Sequence, residues 1–285
     1  PETIPLVEPH PEMPKGVPWH VTPVEKKKFF SERSSGKKVL FRRLAWLLAP
    51  IAVVATVSGV WAFNELNYQS AVRYVDEMQF EQAGQYLPKI LLFYRDTETL
   101  HDYVYAGMEM QAGNYNHARE LFQGLKPYRA AEGMLRECDY REALSLMNEG
   151  QFDAAKKLFL ALADYQDAAD RVKQCDYNKA LALVADRKYE PAIELFSKLG
   201  GYRDAKQQIK ATYYAQAVAY ANNKDYSESI AAFKNAGNYE DAADQIVIVQ
   251  ELAYLEGLKT YEQGSYGLAK SYFKAAGNYA DADMY

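Results

Sequence analysis

A unit of about 37 residues recurs from Tyr68 to the end of the chain, and this period limits the fold more than any other feature. Tyrosines open the unit at Tyr68, Tyr103, Tyr140, Tyr177, Tyr214 and Tyr254, spaced 35, 37, 37, 37 and 40 residues apart. A second aromatic ladder runs Phe80, Tyr115, Phe152, Tyr189, Tyr226, Tyr266, and a third of large residues runs Leu87, Phe122, Phe159, Phe196, Phe233, Phe273. Tyr94, Tyr128, Tyr165, Tyr202, Tyr239 and Tyr279 close the units. Several ladders in register at one period mark a solenoid or a comparable array. All 24 tyrosines lie after residue 63, so they belong to the repeat and are expected to pack between helices.

Within one unit, Tyr140, Ala143, Leu144 and Met147 fall at i, i+3, i+4 and i+7, a helical stripe that must be buried. Gly113, Gly150 and Gly264 stand where the first helix must end, and glycine accepts the left-handed conformation used there. Arg187 and Lys224 hold the same place in two copies; they suit a helix C-terminus but not a turn with positive φ. The closing stretch reads as a helix start. Asn238 or Asp164 would be the N-cap, with Asp241 or Asp167 three residues on as a short-armed capping box. Each unit is then a helix of about twenty residues, a turn, and a helix of about eleven.

The residues Ala143, Leu144, Gly150, Phe152, Ala155, Phe159 and Leu162, with their equivalents in the other copies, resemble the tetratricopeptide repeat family over about 220 of 285 residues. Two features depart from that family: the longer period, and Tyr-x-Asp-Ala where a proline usually separates units. Tyrosine-rich variants of this kind resemble repeats in surface and membrane proteins of Gram-positive-type bacteria. The resemblance implies an all-α solenoid of stacked helix pairs, a right-handed superhelix, and a concave face lined by the first helices. On that packing the exposed first-helix positions include Arg141, Ser145, Asn148, Asn178, Ala219, Asn222, Lys259 and Glu262. They are small or polar, as a groove for an extended segment requires.

Ahead of the array lie three stretches. Residues 1–24 hold seven of the eleven prolines and no period, so they read as an extended, disordered lead. Residues 25–43 are a basic juxtamembrane segment. Residues 44–63, opening at Leu44 and closing at Phe63, carry no charge over twenty positions, enough for a helix to cross about 30 Å of hydrocarbon. Trp46 and Trp61 sit near its ends, where interfacial aromatics belong, and Pro50 is tolerable in a membrane helix. The positive-inside rule puts residues 1–43 in the cytoplasm and the repeats outside, as a single-pass protein. The competing reading is a signal peptide cleaved at Val60-Trp61-Ala62; the 43-residue lead argues against it. Residues 64–78 continue helically and leave little room for a flexible joint.

No catalytic constellation stands in the sequence. His10, His20, His101 and His117 make no zinc spacing, and no phosphate-binding loop is present. Asp167, Asp204, Asp241 and Asp281 recur one per unit, which suits capping better than calcium. Cys138 and Cys175, one period apart, are expected as free, half-buried thiols. Residues 1–63 carry nine Lys/Arg against five Asp/Glu, while the remainder carries 24 against 33. That acidic balance excludes nucleic acid as a partner. The chain therefore reads as a non-catalytic scaffold, without cofactor, metal or small-molecule substrate, whose partners are a protein or peptide and the membrane. A second reading is the sensor ectodomain of a signalling protein with a cytoplasmic domain upstream of Pro1. The first unit carries Pro88 in its second helix, and Tyr279-Ala280-Asp281-Ala282 opens a helix that would continue beyond Tyr285.

Overall fold

The computed structural model describes residues 35–285, with side chains from residue 44 onward. The expected disordered lead and the first part of the basic segment lie outside these residues. Among the described residues there are twelve α-helices and no strand. The chain divides into two units, Pro1–Ala62 and Phe63–Tyr285.

Helix α1, Ser35–Asp76, is one continuous element and contains Pro50. Its start lies ahead of Leu44, so residues 35–43 of the basic segment are helical. One stretch of it, Leu44–Asp76, is long and apolar enough to cross a membrane, and none of its most apolar window is buried. Leu47, Ile51, Val54, Val57 and Trp61 are all exposed.

In the second unit helices come in consecutive pairs joined by short turns. After α2 (Phe80–Gly84) come α3 (Thr97–Gln111) and α4 (Tyr115–Gly124), then α5 (Ala131–Asn148) and α6 (Phe152–Leu162). They are followed by α7 (Ala168–Ala185) with α8 (Tyr189–Leu199), α9 (Ala205–Asn222) with α10 (Tyr226–Ala236), and α11 (Ala242–Glu262) with α12 (Tyr266–Ala276). From α2 onward, contacts run chiefly between each helix and the next along the chain. This is the order a helical solenoid requires. The first pair is truncated: α2 has five residues, and a 3₁₀ turn at Leu87–Lys89 with Pro88 at its start replaces the rest of a second helix.

Each pair has the same core. Phe122, Phe159, Phe196, Phe233 and Phe273 are buried on the second helices. The opening tyrosine meets that phenylalanine and the closing tyrosine edge-on or, toward the end of the array, steeply tilted. Tyr140 lies 5.7 Å from Phe159 and 5.9 Å from Tyr165. Tyr177 lies 5.5 Å from Phe196 and 6.1 Å from Tyr202. Edge-to-face rings at such separations are favoured by the aromatic quadrupole.

The turn after each first helix corrects the expectation at Arg187 and Lys224. Both adopt the left-handed conformation, with φ of 61° and 65°, as do Gly113, Gly150 and Gly264. The hydrogen bonds match too. Gln151 N donates to Leu146 O at 2.8 Å and Gly150 N to Met147 O at 3.2 Å; Lys188 N donates to Leu183 O at 2.8 Å and Arg187 N to Val184 O at 2.9 Å. These are the paired bonds of a Schellman motif, whose two carbonyl partners hold the turn even where a Cβ opposes it.

The closing motif is corrected more deeply. α7 and α11 begin at Ala168 and Ala242, so Asp167 and Asp241 occupy the N-cap and not N3, and neither makes a side-chain cap bond. Asp164 and Asn238 lie outside the helices. The residue before each Asp has positive φ, as at Gln166 (48°), Arg203 (47°) and Glu240 (46°). The following Ala N donates back to the tyrosine carbonyl, as Ala168 to Tyr165 at 3.0 Å. Positive φ at the second position alone, with this bond, is the pattern of a type II′ turn.

Candidate functional site

The Asp carboxylate freed from capping receives the phenol of the tyrosine that opens its own unit. Tyr177 Oη donates to Asp204 at 2.5 Å, Tyr214 Oη to Asp241 at 2.6 Å, and Tyr68 Oη to Asp96 at 2.5 Å. Tyr140 pairs with Asp167 and Tyr254 with Asp281 in the same way. The bonds act on both partners. The tyrosine bond, with a second from Gln208 or Gln245, holds the carboxyls of Asp204 and Asp241 below the usual range. The acids in turn push the Tyr214 and Tyr254 phenols up to about 12. The second repeat, opened by Tyr103, lacks the pairing, because Ala130 stands in the place of the acid. The recurring carboxylates therefore fasten the first helix to the start of the next unit and are occupied by protein. No cluster of three or more His, Cys, Asp or Glu suited to a metal occurs among the described residues.

Neighbouring units are joined by a second recurring contact, two residues after the opening tyrosine. Lys179 reaches back to Asp153 at 2.7 Å, Glu256 accepts from Lys224 at 2.7 Å, Glu142 pairs with Arg119, and the Gln216 amide donates to Glu190. The Gln216 pairing floors a cleft of about 410 Å³ between the start of α8 and the exposed side of α9. Gln216 is itself buried at 7% exposure, so the cleft has a rigid polar floor. Tyr189 and Tyr220 form walls, Val218 is an exposed apolar contact, and Arg187, Asn222 and Asn223 offer donors at the rim. Amide and guanidinium donors beside tyrosine rings and one aliphatic contact suit the backbone and side chains of an extended peptide.

Of the first-helix residues singled out from the sequence, Ala219 and Asn222 line this cleft together. The other six do not. Arg141 is half-buried and engaged by Glu137 at 2.6 Å, and Ser145 Oγ donates to Glu149 at 2.9 Å. Lys259 lies 3.7 Å from Glu256, Asn178 is half-buried, and Asn148 and Glu262 are exposed on other units. Sequence reasoning missed Gln216 and Glu190. The signal for Gln216 was the polar residue two places after the opening tyrosine in Glu142, Lys179 and Glu256 as well, beside the small buried residue of the stripe.

The remaining reactive side chains are quiet. Cys138 and Cys175 are free and fully buried, deeper than expected, and burial pushes both thiols up to about 11. His117 is exposed and lies 3.0 Å from Glu109, and His101 is exposed beside Asp102. Comparison of the chain with protein-family models and with curated proteins finds no match.

Proposed function

We propose that this chain is a membrane-anchored, non-catalytic scaffold whose repeat array binds a protein or peptide segment along its first helices. The observation that carries the reading is the α9 cleft, with its buried Gln216–Glu190 floor, tyrosine walls and unpaired rim amides. The consecutive packing of helix pairs supports it, because stacked pairs in a solenoid build an extended binding surface. The anchor reading is supported by the uncharged, exposed stretch from Leu44 and by the basic residues before it. On the positive-inside rule the array lies outside the cytoplasm.

The test is site-specific photocrosslinking in native membranes. A benzophenone side chain at Val218 should capture a discrete protein or peptide adduct, while one at Lys234, exposed on α10, should not. Equal labelling at both positions, or none at Val218, would sink the scaffold reading. Labelling of Gln263→Cys by an impermeant maleimide in intact cells checks the sidedness; protection until lysis would reverse it.

A further inference from the structure

The first repeat exposes three consecutive apolar side chains in the loop after the 3₁₀ turn at Leu87–Lys89: Leu91, Leu92 at 85% exposure and Phe93 at 104%. No part of the array covers them. Their backbone, by contrast, is firmly held. Asn64, buried at 3% exposure, clamps Leu91 from both sides, donating to its carbonyl at 2.7 Å and accepting from its amide at 2.8 Å. Three residues later the loop is tied down again. Tyr94 Oη donates to Glu65, and Arg95 pairs with the same carboxylate at 2.8 Å. Between the two fastenings Leu92 takes a left-handed φ of 64°, a conformation a leucine adopts only when its surroundings hold it there.

The position of the clamp gives the loop its meaning. Asn64 and Glu65 directly follow Phe63, the last residue of the uncharged stretch. A helix rises about 1.5 Å per residue, so the clamp lies within one turn of the end of that stretch. The headgroup layer on each side of the hydrocarbon is several ångströms thick. A loop bonded to Asn64 is therefore held at the level of that layer by covalent continuity alone. Phe63 and Leu66, either side of the clamping pair in sequence, are exposed and apolar as well. Lys89, ahead of the loop, is a cation suited to headgroup phosphates. A run of exposed apolar residues on a soluble surface is an aggregation hazard unless something takes it up.

We propose that the loop bearing Leu91, Leu92 and Phe93 dips into the outer interface of the same bilayer that residues 44–63 cross, giving the array a second membrane contact. The inference rests on the membrane reading above, and its test separates the two. Nitroxide labels are placed singly by Phe93→Cys, Val53→Cys and Gln263→Cys in the full chain, reconstituted in phosphatidylcholine–phosphatidylglycerol vesicles. The buried native thiols, pushed up to about 11, label slowly and leave the background low. Collision with oxygen, which partitions into lipid, is compared with collision with a water-soluble nickel chelate. The oxygen-to-nickel ratio at position 93 is expected to exceed that at 263 several-fold and to approach that at 53. A lipid-like ratio at 53 with a water-like ratio at 93 would overturn the loop contact and leave the anchor standing. A water-like ratio at 53 would overturn both. A label at 93 shielded from both reagents would mean that protein, or a second copy of the chain, covers the loop, and would also overturn the proposal.

Discussion

Replacing Tyr177 by Phe isolates the tyrosine–aspartate pairing. The edge-on contacts of the ring with Phe196 and Tyr202, at 5.5 Å and 6.1 Å, involve no oxygen and survive the change. Only the 2.5 Å bond from Oη to Asp204 is lost, and Asp204 keeps its 2.9 Å bond from Gln208. A hydrogen bond to a charged group contributes about 1.5–3 kcal/mol. Asp204 is exposed and can rehydrate, which sets the expected loss at about 1–2 kcal/mol. Local opening of α7 and the start of α9 should then be roughly 5–30 times more frequent, read by hydrogen exchange in the full chain after correction for intrinsic rates. The pH dependence is the sharper check. Asp204 has a folded pKa held down by Tyr177 first and Gln208 second. Its contribution is present above the unfolded carboxyl value of about 3.9 and is lost as pH falls through the lower folded value. The Tyr177 phenol is raised by burial and then by Asp204, so its contribution is present below about 10 and is lost as pH rises through the folded value. The difference between wild type and Tyr177→Phe should therefore form a plateau near neutrality and shrink toward both extremes. An unchanged exchange pattern at pH 7, or a difference of the same size at pH 3 and pH 7, would refute the assignment.

Three further substitutions probe the packing. Ala163 has φ of 52° and ψ of −104°, in the place where Gly200, Gly237 and Gly277 end the later second helices, so Ala163→Gly should raise the thermal midpoint, with a gain of about 1 kcal/mol. A Cβ on Gly107 would lie 2.3 Å from the buried Phe80 ring, so Gly107→Ala should destabilise by about 1–3 kcal/mol in urea unfolding, although alanine is the better helix former. Phe159→Ala should cost about 3–5 kcal/mol, and hydrogen exchange should show lost protection throughout the cluster that runs from Tyr140 to Cys175. Loss confined to α6 would contradict a shared core.

Helix identity is a local property, and the stripe Tyr140, Ala143, Leu144, Met147 with its copies was enough to establish an all-helical chain of consecutive pairs. The positions of the buried phenylalanines followed from the same periodicity, because an apolar stripe has one stable destination. The partners of polar groups are not local. Asp167 and Asp241 looked like caps because the residues that claim them, Tyr140 and Tyr214, lie 27 positions earlier and meet them only once the pair has closed. Membership of the α9 cleft was decided the same way: Ala219 and Asn222 are joined there by Gln216 and Glu190, two polar residues whose pairing exists only across a junction between units. Periodicity along the chain set which residues would be buried; contact across the chain set which buried and half-buried polar groups would find each other.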